Sequence, residues 1–453
     1  MTTSEKVEQL FSRINSAPTD SKLILEKLYD EGSFVEVGYF NDCSVVTGYG
    51  VINGELVYAY CQSGAINAEH SKKIARIYEL ALEVGSPIIG ILDSEGTELD
   101  EISDCFENYG ALLSNQSKAS GVIPQIAILK GDCIGMSSFI PALSDFTFMI
   151  DKTKMFMSSP ATFKGLDGKS LTYDSLGGSE ACAKKGTISA SFSNIDDCIK
   201  DVRELVSFLP SNNIDEDLSS TADDLNREDE KLNSVVVDES SELDVEYIIK
   251  SISDKNEFIE IKKLYAPTIV TGFAKFDGMT TGVIANKGLI TAESAEKASS
   301  FVKFCDSFNI PVLTLTDVAG YEKSAVEEQK GIIKNSAKLV SAFVDATVPK
   351  INVIIRNAIG SSYLLMNSKY TGADIVYAWP TAEIAGIDKT SAVKLFDISE
   401  EDYDEAVSPY HYAKKGQVDD IILPAATRKR VIAALEMLFS KRIITPDKKH
   451  NSI

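Results

Sequence analysis

Two stretches of this chain, TGYGVING at 47–54 and TGFAKFDG at 271–278, are versions of one another, and the register between them persists. Thr47, Gly48 and Gly54 recur as Thr271, Gly272 and Gly278. At the same spacing Glu69 and Lys73 return as Glu293 and Lys297, each pair heading an amphipathic run, EHSKKIARIYELALEVG and ESAEKASSFVKFCDSFN. SPIIGILDSEG (86–96) then matches IPVLTLTDVAG (310–320), with Pro87, Asp93 and Gly96 over Pro311, Asp317 and Gly320. After one inserted residue, IPQIAILKGDCIGMSS (123–138) aligns with VPKINVIIRNAIGSSY (348–363). Pro124, Ile126, Gly135 and Ser137 fall over Pro349, Ile351, Gly360 and Ser362. Turn glycines and prolines recur by chance, but chance does not keep them in order and in register through successive segments. The chain is therefore expected to fold as two homologous domains. A length of 453 residues, too great for one hydrophobic core, points the same way.

Each repeat spells one layout. A hairpin comes first, turning at Asn53-Gly54 or Asp277-Gly278, dipeptides suited to the I′ turn. A helix follows, then a continuous apolar run, PIIGILD or PVLTLTD, of the kind buried on both faces of a sheet. A second helix leads to the strand IPQIAIL or VPKINVI, then a glycine turn and a further helix. The alternation predicts an α/β fold. Ahead of each hairpin, KLILEKLYDEGSFVEV (22–37) is echoed by VEYIIKSISDKNEFIEI (245–261). Between the repeats the chain is acidic and nearly free of basic residues. The expected domains are thus 1–213 and 245–453, joined by an acidic linker over 214–244.

The formal net charge of −22 argues against nucleic-acid binding and against docking on an anionic membrane, both of which need clustered Lys and Arg. No apolar run is long enough to span a bilayer, and the polar N-terminus MTTSEKVEQLFSRINS reads as a helix, so a cytoplasmic protein without membrane insertion is expected. Cys43, Cys61, Cys105, Cys133, Cys182, Cys198 and Cys305 are odd in number and form no C-x-x-C, which argues against a disulfide framework or a zinc ribbon. With histidines only at 70, 411 and 450, no metal is expected.

The turn GDCIGMSS offers a thiol and two hydroxyls. A serine elbow needs G-x-S-x-G, and Gly135-Met136-Ser137-Ser138-Phe139 lacks the second glycine. A catalytic Cys133 would need a base, and no histidine stands in a partner motif. The alternative chemistry is in the backbone. A strand ending in a glycine turn that opens a helix leaves leading N–H groups unpaired, and these can stabilise an oxyanion. C-I-G-M-S and A-I-G-S-S are the same turn, once per domain, and could hold two oxyanions. A plain β–α turn with glycine chosen for packing accounts for the pattern equally well, and both readings stay open at this point.

SGVIPQIAILKGDCIGMSSFIPALSDFTFMI (120–150), LGG (176–178) and SFLPSNN (207–213) resemble the biotin-dependent carboxyltransferases, of the acyl-CoA carboxylase β-subunit and methylmalonyl-CoA decarboxylase α-subunit type. LYAPTIVTGFAKFDG (264–278), FVKFCDSFNIPVLTLTDVAG (301–320), ATVPKINVIIRNAIGSSY (346–363) and GADIVYAWPTAEIA (372–385) continue the resemblance to the C-terminus, as a diverged, shortened member. The resemblance implies two tandem crotonase-like ββα-superhelix domains. It implies transfer of a carboxyl group between biotin on a separate carrier protein and a short acyl-CoA, propionyl-CoA or methylmalonyl-CoA first. Acyl-CoA would lie on the N-terminal domain of one subunit and biotin on the C-terminal domain of a neighbour, usually in a hexamer. Carried over by position, the N–H groups of Gly135 and Met136 would face the thioester oxygen. Those of Gly360, Ser361 and Ser362 would face the biotin ureido oxygen. Gly64, Gly96 and Gly320 would line the cofactor-binding loops, and Trp379 and Glu383 are biotin-side candidates, against a buried indole and a satisfied carboxylate.

The chain departs from the family pattern at both turns, where paired glycines become Gly135-Met136 and Gly360-Ser361. QSGAIN keeps only Gly64, DSEGTELDE (93–101) lacks a second Gly and the following Arg, and DVAGYEKSAVEEQKG lacks a proline–glycine. No A/V-M-K-M biotin-attachment motif is present, so partners are implied: a biotin carboxyl carrier protein, and biotin carboxylase or membrane decarboxylase subunits. The alternative is a non-catalytic or reduced-activity paralogue that assembles with an active subunit. A crotonase-type hydratase or isomerase would need carboxylates beside the turns, and the first, Asp145, is explained as well by packing of PALSD. Lys184 and Lys185 could meet CoA phosphates or simply be solvated, and His70 opens a helix.

Overall fold

The two hairpins set the geometry of everything that follows. Strands β2 (Val46–Ile52) and β3 (Glu55–Cys61) pair antiparallel around Asn53 and Gly54, whose φ values of 53° and 95° are the left-handed ones an I′ turn requires. Strands β10 (Ile269–Phe276) and β11 (Met279–Asn286) repeat this around Asp277 and Gly278, at 53° and 76°. The computed structural model describes residues 3–14, 19–41, 43–94, 96, 105–158, 172–215, 223–235, 243–444 and 446.

The chain divides into two units, one comprising 1–179 and 191–207, the other 180–190 and 208–453. The first carries a sheet in the order β1 (Val35–Val37), β2, β3, β4 (Ile88–Ser94), β5 (Gln125–Ile134), β6 (Phe146–Ile150) and β8 (Ala190–Phe192), with β7 (Met155–Phe156) paired to β5. The second repeats it as β9 (Ile259–Glu260), β10, β11, β12 (Val312–Val318), β13 (Lys350–Ile359), β14 (Ile375–Ala378) and β16 (Asp420–Ile421), with β15 (Glu383–Ala385) paired to β13. After the hairpin all pairings of β3 to β6 and of β11 to β14 are parallel. Helices Ala68–Val84 and Cys105–Ala119 cross over in the first unit, and Ala292–Ser307 and Ile332–Asp345 in the second. The continuous apolar runs of β4 and β12 are buried on both faces, as the pattern required.

Duplication extends to polar groups. The register of β4 on β5 slips between Leu92 and Ser94, and that of β12 on β13 between Thr316 and Val318, at the equivalent place. Lys73 is buried and gives its ammonium to the Val45 carbonyl at 2.6 Å; Lys297 gives its own to Tyr265 and Ile269 carbonyls at 2.9 Å. Arg203 bonds the Leu28 carbonyl and Asp30, which takes the Asn53 amide of the hairpin turn. Arg428 does the same with the Ile252 carbonyl and Asp254, which takes the amides of Asp277 and Gly278. Each of these arginines thus clamps the helix that precedes its unit's hairpin, Asp20–Leu28 or Val245–Ile252, to that hairpin.

Of the acidic stretch 214–244, residues 216–222 and 236–242 lie outside the described residues. The portion between them packs on the second unit: Leu232 is buried in its core, Asp229 accepts the Tyr247 hydroxyl at 2.7 Å, and Asp223 is paired with Arg227. No helix among the described residues is long and apolar enough to cross a membrane.

Candidate active site

Strand β5 runs into Gly135 (φ 67°) and β13 into Gly360 (φ 65°). Nothing lies within 4 Å of where a Cβ on Gly135 would sit, so conformation rather than crowding demands the glycine. Both turns continue as short 3-10 segments, Gly135–Ser138 and Gly360–Leu365, instead of the full helix expected, and such segments leave their leading N–H groups without partners inside the segment. The anchoring is duplicated: Ser137 returns its hydroxyl to the Ile134 carbonyl at 2.8 Å, and Ser362 to Ile359 at 2.6 Å. Each turn is flanked by the short parallel strand paired to it, β7 or β15.

Side chains at the first turn are not poised for nucleophilic chemistry. Cys133 is fully buried, burial pushes its thiol up to about 12, and its Sγ lies 3.2 Å from the Ser137 carbonyl. Ser137 is fully buried and bonded to the backbone. Met136, which stands where a second glycine was expected, packs against the apolar cluster of Tyr60, Ile74 and Ile140. At the second turn Ser361 is exposed and Ser362 buried.

The glycines of neighbouring loops are also duplicated. Gly96 accepts the Ile66 amide at 2.8 Å and Gly320 the Ile290 amide at 3.0 Å. Gly64 (φ 83°) accepts from the Gln62 side chain. Of DSEGTELDE, positions 95 and 97–101 lie outside the described residues. At the slips in register, Asp93 stands 3.5 Å from Lys130, while Asp317 holds Arg356 at 2.8 Å and takes the Asn357 amide at 3.0 Å. Asp317, Arg356 and Asn357 with Ala319 line a cleft of about 170 Å³.

Trp379 has no exposed surface, lies in the second unit's core, and donates its indole N–H to Thr427 at 3.0 Å. It is a core residue, because an indole so enclosed has no face left for a ligand. Glu383 opens strand β15, not a helix, and is partly exposed beside the second turn. Lys184 pairs with Glu180 at 2.6 Å on the surface. His70 is buried and bonded to the Ser44 hydroxyl at 2.9 Å. Asp145 takes the Gln125 amide at 2.8 Å, a packing role that Asp374 repeats with the Lys350 amide at 2.7 Å. Among the described residues no group of three or more His, Cys, Asp or Glu is placed to hold a metal. Sequence reasoning missed Tyr321, the residue after Gly320, which is half-buried and forms a parallel bridge with Ile290 beside that loop. Its place in DVAGYEKS, directly after a site glycine, was the available signal.

The Carboxyl transferase domain matches residues 26–453. The methylmalonyl-CoA decarboxylase subunit alpha of Veillonella parvula is 41% identical over 466 residues, covering 95% of this chain and 92% of that protein. The propionyl-CoA carboxylase beta chain of Roseobacter denitrificans is 37% identical, with 95% and 92% coverage. Among solved structures, transcarboxylase 12S, a hexamer with methylmalonyl-coenzyme A and methylmalonic acid bound, superposes with a TM-score of 0.92 at 36% identity, covering 99% of both chains.

Proposed function

The chain belongs to the Carboxyl transferase domain family, and from that premise we propose that it moves a carboxyl group between biotin on a separate carrier protein and the α-carbon of a short acyl-CoA. It is a biotin-dependent carboxyltransferase, an enzyme component of the propionyl-CoA carboxylase beta and methylmalonyl-CoA decarboxylase alpha type, with two tandem crotonase-like domains. Propionyl-CoA and methylmalonyl-CoA are the proposed substrate pair.

The observation that carries the reading is the duplicated turn: a strand, a left-handed glycine, a short 3-10 segment and a serine tied back to the strand's last carbonyl. Gly135 and Met136 would direct N–H groups at the thioester oxygen; Gly360, Ser361 and Ser362 would direct theirs at the ureido oxygen. Bound biotin supplies the nitrogen that carries the carboxyl group. The chain's own part is to hold negative charge as it develops on the acyl α-carbon side, where one lost amide donor costs about 10²–10³ in rate. Met136 fits this role in that its side chain packs, half-buried, against the first unit's apolar cluster while its N–H stays part of the turn. The open space around Gly360, where an added Cβ would come no nearer than 3.7 Å to the Gly386 carbonyl, is compatible with a planar ring approaching the amides. Gly64, Gly96 and Gly320 would shape the approaches, with Glu383 at the rim. A hexamer, as in transcarboxylase 12S, would bring the acyl-CoA side of one copy to the biotin side of another. The partners would be a biotin carboxyl carrier protein with biotin carboxylase or membrane decarboxylase subunits, on the cytoplasmic side.

The test is decarboxylation of methylmalonyl-CoA by the purified protein with free biotin. Biotin-dependent turnover above background is expected. A homogeneous protein that gives none, fails to bind acyl-CoA by calorimetry, and co-purifies with an active homologue would instead establish the non-catalytic paralogue.

A further inference from the structure

Behind the second glycine turn the 3-10 segment Gly360–Leu365 runs for six residues, longer than that geometry commonly sustains without outside support. Its head is tied by Ser362 to the Ile359 carbonyl. Its tail is tied from inside the sheet. Asn352 on β13, with no exposed surface, donates its side-chain N–H to the Met366 carbonyl at 3.0 Å. The Thr316 hydroxyl, on the neighbouring strand β12, donates to the Asn352 side-chain oxygen at 2.8 Å. Asn286, which ends β11, sets its amide nitrogen 3.5 Å from the Met366 sulfur. Asn367, fully buried and in the left-handed region at φ 49°, donates to the Ile351 carbonyl at 3.1 Å. Three adjacent strands thus each place one polar side chain under the end of the segment. A carbonyl only accepts, so Met366 fixes which way the Asn352 amide faces, and the Thr316 proton holds it there.

The first unit anchors its turn with other residues. At the positions of Thr316 and Asn352 the repeat has Leu92 and Ala127, which are buried and whose side chains have no donor to give. There Gln116, on the crossover helix Cys105–Ala119, donates to the Ile140 carbonyl at 2.9 Å. Thr147, on β6, donates to the Pro141 carbonyl at 2.6 Å, and Pro141 falls over Met366 in the register of the repeat. Backbone and glycine are common to the two turns, but the side chains that hold them are not. A substitution under one turn therefore leaves the anchors of the other in place.

We propose that Asn352 is a positioning residue for the second turn: oriented by Thr316, it pins the Met366 carbonyl and so fixes the direction in which the leading amides of Gly360, Ser361 and Ser362 point. Thr147 does the same for Gly135 and Met136 through Pro141. Both act through the backbone. The proposal rests on the reading of the second turn as the biotin side and of the first as the acyl-CoA side. Loss of the Asn352 donor leaves a buried carbonyl unpaired, and the segment finds a new partner for it only by shifting. Oxyanion donors act only where they are already aimed, so such a shift weakens the hold on the ligand of that turn alone.

The experiment is steady-state decarboxylation of methylmalonyl-CoA by the intact protein with free biotin, the two KM values read separately and melting temperatures recorded beside them. Asn352→Leu, which keeps the branching and removes the amide, should raise the KM for biotin by about tenfold and leave that for methylmalonyl-CoA unchanged. Thr316→Val, which keeps the shape and removes the hydroxyl, should raise the biotin KM by about threefold, and it carries the test should Asn352→Leu not fold. The double variant should be no worse than Asn352→Leu alone, because the two residues act through one chain of bonds. Thr147→Val should do the reverse, raising the KM for methylmalonyl-CoA by about threefold and sparing biotin. Lowered melting temperatures with both KM values unchanged overturn the positioning role and leave the second turn as the biotin side. Equal rises in both KM values in Asn352→Leu overturn the separate anchoring of the turns. A rise for methylmalonyl-CoA alone, or a wild type without biotin-dependent turnover, overturns the assignment of the second turn and the proposal with it.

Discussion

Cys133 shows how burial settles what a motif leaves open. A thiol beside two serines at a strand end looks reactive, but its pKa of about 12 leaves almost no thiolate at neutral pH, and its surroundings admit no substrate. Cys133→Ala is expected to retain turnover within about twofold, and native protein should resist iodoacetamide at this position, since reactivity follows thiolate fraction and access. Loss of activity in Cys133→Ala with the fold intact would restore the nucleophile. Asp145 makes a second residue-scale point. Burial pushes its carboxyl up to about 7, opposed by the bond from Gln125 N–H. Because the folded value lies above the ordinary 3.8, the native state holds a proton that the unfolded chain has released. That contribution is fully present below the ordinary value and is lost as pH rises through about 7. Asp145→Asn keeps an acceptor for Gln125 and removes the titration. Its melting temperature relative to wild type should therefore climb between pH 5 and pH 8, and parallel curves would contradict the assignment.

At the scale of elements, the arginine clamps are one device in two environments. Arg428 and Asp254 are 1% and 5% exposed, whereas Arg203 and Asp30 are 24% and 36% exposed. Breaking a buried pair strands a charge at about 3–5 kcal/mol, while a solvated pair is worth about 0–1 kcal/mol. Arg428→Ala should lower the denaturation midpoint strongly and Arg203→Ala little. Equal losses would mean that burial does not govern the clamp. The clamps were not legible in the sequence. Arg203 and Asp30 stand 173 residues apart, and an isolated arginine in an amphipathic C-terminal helix has no pattern that names its partner. The hairpins were legible because Asn53-Gly54 and Asp277-Gly278 announce their own backbone angles. The buried lysines were half legible: Lys73 and Lys297 recur in register, but only the fold shows them capping strand carbonyls.

At the scale of the molecule, the repeat carries most of the account. It foretold two sheets of like topology, and the resemblance it supported agrees with the family match over 26–453. Where it could not reach, the reasons are physical. The acidic stretch around Leu232 reads as solvated because one leucine cannot outweigh its neighbours' charge, yet that leucine is buried in the second unit. Trp379, through its place in AWPTAEIA, reads equally as a biotin-side residue or a buried indole, and only its burial decides for the core. Asp317 and Arg356 lie on successive strands, far apart in the chain, and their ion pair exists only through the parallel pairing of β12 with β13.

The central claim is that backbone amides at the glycine turns, and no side-chain nucleophile, hold the charge that develops during carboxyl transfer. Isotope-edited infrared spectroscopy of propionyl-CoA labelled at the thioester carbonyl, bound to the intact protein, tests it most directly. The account expects the carbonyl stretch to fall to lower frequency on binding, to do so equally in Cys133→Ala, and to return toward the solution value in Gly135→Ala, where a side chain at φ 67° strains the turn by about 1–2 kcal/mol. A bound thioester whose stretch is unshifted in wild type, or shifted identically in Gly135→Ala, would contradict it.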